Sequence, residues 1–285
     1  VVVLSRLIAI AAIPAAAVGL FWRRGSGPFV VTSVRGEQVE LFGRGLYHYD
    51  TLFAAGGAHG TDAVILLLAV PLLIASTAMY RRGAVRWRLL HTGVLVCFLY
   101  VYGSAALGTV AFNPLFPLYV LIFSASLFAT VLSFASVDDA ELARHVGPPM
   151  PRRGLAAFLI ASGIVTVVVW GLPLATAVAA GGVTDRLDTY PTEVTFALDL
   201  ATITPLTFVA GVLVLRRAAL GYRLAMSLLV LETLLAPLIA AQTVGQIAAG
   251  TDLSTGEVLG PVLGFVVLAA GAGWFAVRVA GNAAD

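Results

Sequence analysis

Eight stretches of mostly apolar residues, each about as long as a membrane is thick, run through this chain of 285 residues, and the segments joining them alternate between arginine-rich and arginine-poor. A helix needs roughly 20 apolar residues to cross a hydrocarbon core about 30 Å deep, so runs of this length are spans and not buried core helices. An open strand cannot satisfy its backbone in lipid, and the two-residue alternation of barrel strands is absent. The expected fold is an all-α membrane protein, a bundle of eight transmembrane helices at 2–22, 62–80, 89–111, 115–135, 155–180, 195–215, 224–248 and 257–279. Charged residues make up 11% of the chain against about 25% in a soluble domain, which removes a water-soluble core from consideration.

All 17 basic residues are arginine. A lysine Schiff base, a P-loop lysine and a lysine nucleophile are therefore excluded. Cys97 is the single cysteine, which rules out an intrachain disulfide, a CxxC redox pair and a thiolate metal cage. His48, His59, His91 and His145 form no HExxH motif, and no second span-borne histidine joins His91 for haem ligation. Arginine without lysine, among abundant Ala, Val and Gly, resembles the codon bias of a GC-rich genome, for which a bacterial source is expected, and Val1 fits a GTG start codon. Arg6 and Ala15–Ala17 weakly resemble a cleaved signal, but the run continues through Val18, Leu20, Phe21 and Trp22, so a retained first span is expected.

Orientation follows from the arginines. With the N-terminus inside, Arg6, Arg81, Arg82, Arg86, Arg88, Arg144, Arg152, Arg153, Arg216, Arg217, Arg223 and Arg278 fall on one side, and Arg23, Arg24, Arg35, Arg44 and Arg186 on the other. This asymmetry predicts a multi-pass protein of the bacterial inner membrane with both termini cytoplasmic. Arg23 and Arg24 dissent from it.

The longest outer connection, 23–61, is expected to be an ordered cap. Phe29–Val34 and Gln38–Phe42 flank Arg35-Gly36-Glu37 and read as a β-hairpin, while Leu46–His59 reads as an interfacial helix or a re-entrant piece. The 137–154 segment, with Asp138, Asp139, Glu141, Pro148, Pro149 and Pro151, reads as a cytoplasmic linker between a first four-helix half, 1–136, and a second, 155–285. Asp62, Pro71, Arg81, Arg82 and Arg88 have counterparts in Asp199, Pro205, Arg216, Arg217 and Arg223, the pattern of a duplicated unit. Gly260/Gly264 and Ser104/Gly108 have the small-xxx-small spacing of closely packed helices.

Glu232 lies about 13 Å beyond Arg223 along a helix, near mid-membrane, where a carboxyl must face the interior and be protonated, hydrogen-bonded or paired. It heads the candidate substrate-binding residues, with Asp199, Tyr100 and Gln242. The mid-span Tyr100 and Tyr102 need hydrogen-bond partners, for which Glu232 is a candidate. Asp62 is expected to cap the start of its helix. His91 is expected at the cytoplasmic headgroup level. In the outer loop His48, Asp50, His59 and Asp62 are weak metal-ligand candidates, set against solvated or interfacial roles.

Arg44-Gly-Leu-Tyr-His-Tyr-Asp-Thr51 with Gly60-Thr-Asp62 and Pro71, Phe112-Asn-Pro-Leu-Phe116 with Tyr119, and Leu198-Asp-Leu200 with Pro205 and Arg216-Arg217 to Gly221-Tyr222 resemble a group of bacterial multispanning membrane proteins without an assigned activity. The resemblance implies an architecture over most of the chain and no functional residue. The residues support three readings: a transporter-like or ligand-sensing module for a small or amphipathic molecule, a non-catalytic structural or interaction protein, and a membrane enzyme with its site at the outer interface. No cofactor and no nucleic acid are expected. The lipid bilayer is the expected partner, with a homo-oligomer or a membrane protein admitted.

Overall fold

The architecture, from a computed structural model, describes residues 1–108, 113–145 and 150–283, with 143–145 by their backbone alone. The expected end of the third span at 111, Phe112, Pro148, Pro149 and the last two residues of the second half lie outside the described residues. Within them, eight helices are long and apolar enough to cross a membrane: α1 Val2–Phe21, α2 Leu52–Tyr80, α3 Val85–Leu107, α4 Phe116–Ala135, α6 Arg152–Ala179, α7 Val194–Leu215, α8 Ala219–Ala248 and α9 Thr255–Asn282. A short helix α5, Asp139–His145, lies in the connection after α4. The chain is an all-α eight-helix membrane protein with one small hairpin.

That hairpin pairs β1 (Phe29–Thr32) with β2 (Gln38–Leu41) in antiparallel register, Phe29 opposite Leu41 and Thr32 opposite Gln38. Gly36 closes the turn at φ +86°, where its amide donates to Ser33, a conformation that glycine adopts without steric cost. The chain then doubles back: the Phe42 amide donates to Asp50 at 2.8 Å and the Gly43 amide to His48 at 2.9 Å. Phe42, Leu46 and Tyr47 are buried, so the segment packs as an ordered cap on one end of the bundle.

α2 begins at Leu52, capped by Thr51, whose hydroxyl accepts from the Ala54 amide at 3.2 Å. The stretch 52–61 is thus the first part of the membrane helix and not a separate interfacial or re-entrant piece. Its glycines are what α8 packs against. A Cβ on Gly56 would stand 2.5 Å from Gln246 Cα, and one on Gly60 or Gly245 would overlap backbone of the facing helix. The close approach lies here, on Gly56-xxx-Gly60, whereas nothing comes within 4 Å of a Cβ on Gly260 or Gly264 among the described residues.

α8 is the hub, touching α2, α3, α7 and α9, with Tyr222, Ala225, Met226 and Leu229 fully buried. α9 is peripheral: 11% of its apolar window is buried, against 56% for α3. On the face away from the cap, His91 is fully buried between helices. It takes Ser5 Oγ at Nε2 (3.0 Å) and Ser76 Oγ at Nδ1 (2.9 Å), joining α1, α2 and α3. Arg88 Nη1 donates to the Ser136 carbonyl at 3.1 Å, and Arg223 Nη1 to those of Phe134 (2.9 Å) and Val137 (3.2 Å), so two arginines hold the end of α4.

Candidate functional site

Under the cap, a cavity of about 390 Å³ opens among α2, α3 and α8 and is roofed by the connection before α7. Its walls carry two kinds of group, tyrosine rings and carboxylates.

Asp62 is the deepest of these acids. Ten residues into α2, it lies about 15 Å along the helix from Leu52, so it caps nothing and is buried within the bundle. Tyr47, at the end of the turn Gly45–Tyr47, donates its hydroxyl to Asp62 Oδ2 at 2.6 Å, and Tyr119 from α4 lies within hydrogen-bonding reach of the same Tyr47 hydroxyl. α1 makes room for the pair with Gly19, where any Cβ would overlap the Asp62 carboxylate. Burial, and then the Asp62 charge, raise the Tyr47 hydroxyl well above the ordinary phenol range, so it remains a donor.

Asp50 stands at the mouth. Tyr190, from the roof, donates to Asp50 Oδ1 at 2.7 Å. Burial pushes the Asp50 carboxyl up to about 6, and the Tyr190 hydrogen bond opposes that rise without cancelling it. Arg186 also lines the cavity, but its guanidinium is paired with Glu257 and lies 4.9 Å from the Phe53 ring centre. Glu193 takes the Thr184 hydroxyl. Among the described residues, Asp50, Asp62 and Glu193 thus face a cavity whose one lining cation is already engaged.

Of the residues singled out from sequence, Tyr100 and Gln242 line this cavity and Asp199 and Glu232 do not. Gln242 Nε2 donates to Thr61 Oγ1 at 2.9 Å. The partner of Tyr100 is Asp199, at 2.8 Å, and not Glu232; Trp170 Nε1 donates to the other Asp199 oxygen at 2.8 Å. Asp199 therefore braces the back of the Tyr100 wall. Glu232 is buried one turn deeper than Leu235 of the cavity lining, beside Ser162, and its Oε2 has no hydrogen-bond partner among the described residues. The four metal-ligand candidates split up: His48 packs on Phe29 and Tyr49, and His59 on Phe42 and Tyr47, while the two aspartates take separate tyrosines. Among the described residues no three His, Cys, Asp or Glu side chains gather as metal ligands would.

Comparisons with protein-family models, with curated proteins and with solved structures find no match. The site is read on its own chemistry.

Two wide helical turns set its geometry. Ile65–Ala69 in α2 and Asp199–Ile203 in α7 are π-turns, with Val70 N–H bonding Ile65 O and Thr204 N–H bonding Asp199 O. Each is succeeded by a proline at the same offset, Pro71 and Pro205. A proline lacks the N–H that would bond the carbonyl four residues back, Leu67 or Ala201, and its ring crowds that carbonyl, so the turn widens. The extra residue rotates the N-terminal part of each helix by about 100° relative to the C-terminal part. Replacing Pro205 with Ala is expected to let the turn close to α-helix and to swing Asp199 off Trp170 and Tyr100. Trp170 emission, isolated by difference against a Trp170→Phe background, should then shift; unchanged emission would mean that the turn holds without the proline.

Sequence reasoning does not find Tyr47, Tyr190 or the roof. The roof connection is short, polar and turn-rich, and no periodicity marks it. An unusual clustering of tyrosines near Asp50 and Asp62 is the available signal.

Proposed function

We propose that this protein is a membrane-embedded binding module, transporter-like or ligand-sensing, for a small organic cation, admitted from the cap side. The observation that carries the reading is the cavity of about 390 Å³ with Asp50, Asp62 and Glu193 in its walls and the rings of Tyr100, Tyr102, Tyr119 and Tyr190 around them. Carboxylates supply charge to an ammonium group, and ring faces attract it by about 0.5–2 kcal/mol each according to solvation. The volume is at the small end of ligand pockets, which favours a ligand of few heavy atoms.

The arginine asymmetry supports an orientation with the cap outside and both termini in the cytoplasm of a bacterial cell. The paired π-turns, each six residues ahead of its proline and each with an aspartate at or just before it, support a repeat of two four-helix halves about the 137–154 connection. Glu232, below the cavity on α8, is the group we assign to coupling in the transporter-like form of this proposal.

Tetramethylammonium and n-butylammonium, added to the purified protein in nanodiscs at pH 7.5, are expected to raise its Tm, with n-butanol as the neutral control having no such effect. Asp62→Asn should remove the shift. Equal effects of the ammonium ions and the alcohol, or an ammonium shift that survives in Asp62→Asn, would overturn the reading.

A further inference from the structure

A second and larger cavity, about 660 Å³, lies on the lipid side of the cap and does not share the acidic lining of the first. One wall belongs to the cap and carries Arg23 and Arg44; the other is the α8 surface of Ala240, Val244 and Ala248. These three recur every four residues and so form one stripe along the helix. Val244 is 67% exposed, and Ile247 beside it 53%, so the stripe continues into the surface that faces lipid.

The arginines are exposed, and among the described residues neither pairs with a carboxylate. Arg23 Nη1 is 3.3 Å from His59 Nε2. A guanidinium only donates, so that imidazole nitrogen accepts, and the contact holds Arg23 over the groove while leaving its other N–H groups free. Arg44 lies along Gly27, where a Cβ would stand 3.2 Å from Nη2; the glycine gives the guanidinium its place. Two such forks at the membrane end of an apolar stripe match one occupant in both charge and shape.

We infer that this groove binds an anionic phospholipid, its phosphate held between Arg23 and Arg44 and an acyl chain lying along Ala240, Val244 and Ala248. Arginine forks match phosphate oxygens in geometry as well as charge. The inference also explains why Arg23 stands on the arginine-poor side of the chain, against the orientation rule: it serves the headgroup. It does not rest on the cation reading of the first cavity, from which the cap residues Phe42 and Arg44 and the lipid face of α8 are separate.

Native mass spectrometry of the full chain, released from nanodiscs of equal phosphatidylglycerol and phosphatidylcholine, is expected to retain one phosphatidylglycerol in preference to phosphatidylcholine. The Arg23→Gln/Arg44→Gln double variant should lose that preference by about tenfold, as expected for lost charge-assisted contacts. Arg24→Gln, with its side chain away from the groove lining, should keep it. Should the double variant fail to fold, Ala248→Leu fills the stripe from an exposed position and is expected to lower phosphatidylglycerol retention with both arginines present. Equal retention of the two lipids, or a preference that persists in the variants, overturns the inference. Competition by glycerol 3-phosphate that depends on the same arginines also overturns it, since the occupant would then be a free phosphate and not a lipid.

Discussion

Gly60→Ala is expected to abolish the folded protein, although it adds a single methyl group. The Cβ would overlap the Ala241 carbonyl across the α2–α8 contact, and the same holds for Gly245→Ala against Gly56. Overpacking costs about 1–3 kcal/mol where side chains can rotate away, and occasionally more. Here the obstacle is backbone on both sides, so relief requires that the two helices part. That would loosen α8 from α2 and open the cavity that Asp62 and Gln242 share, so we expect a loss of about 3 kcal/mol or more. Size-exclusion of a fluorescent fusion in mild detergent, and then thermal melting, measures it. Gly260→Ala and Gly264→Ala are the matched controls, with the same spacing but nothing within 4 Å of the added atom among the described residues, and should melt at or slightly above the parent temperature. A Gly60→Ala protein that melts like these controls would show that the helices are not held at this distance.

The same glycines explain where sequence reading succeeds and where it fails. Spans are legible because lipid demands length and apolarity over a whole segment, a condition any window of the chain can be tested against. The hairpin is legible because Phe29–Thr32 and Gln38–Leu41 alternate about a glycine whose conformation the turn requires. The start of α2 is hidden because Ala54–Gly60 is poor in bulky apolar residues and rich in glycine, which disfavours a helix by propensity. Only the partner helix gives those glycines a reason, and a partner is not written locally. Asp62 therefore reads as a helix-end cap when it lies well inside the helix. The Tyr100–Asp199 and Tyr190–Asp50 bonds join residues 99 and 140 positions apart, and no spacing rule connects them. Gly260 and Gly264 illustrate the converse: the right spacing on a helix that brings nothing up against it.

Lowering the pH from 7.5 to 5 is expected to weaken tetramethylammonium binding about tenfold, and Asp50→Asn is expected to remove that dependence. Burial raises the Asp50 carboxyl to about 6. At pH 7.5 it is almost wholly ionised; at pH 5, one unit below its midpoint, about one molecule in eleven is, and the charge that draws the cation to the mouth is lost in proportion. Glu193, Arg186 and Tyr190 face the same mouth, and the Tyr190 hydroxyl, raised by burial, stays protonated and does not move the midpoint across this range. The Asp50 contribution to stability should run in the opposite sense to binding. A carboxyl whose folded value lies above its ordinary 3.8 stabilises the fold most when protonated, below that value, and the contribution is lost as pH rises through about 6. The Asp50 contribution to the stability of the unliganded protein should therefore fall over this interval while the affinity for the cation increases. Asp50→Asn should remove this contribution from both curves, and melting curves of parent and variant at each pH, with and without tetramethylammonium, track the two together. Opposite slopes in the parent-minus-variant differences would separate a ligand-facing carboxylate from one that only props up the cap, because a purely structural Asp50 would move the stability curve and leave the ratio of liganded to free protein unchanged.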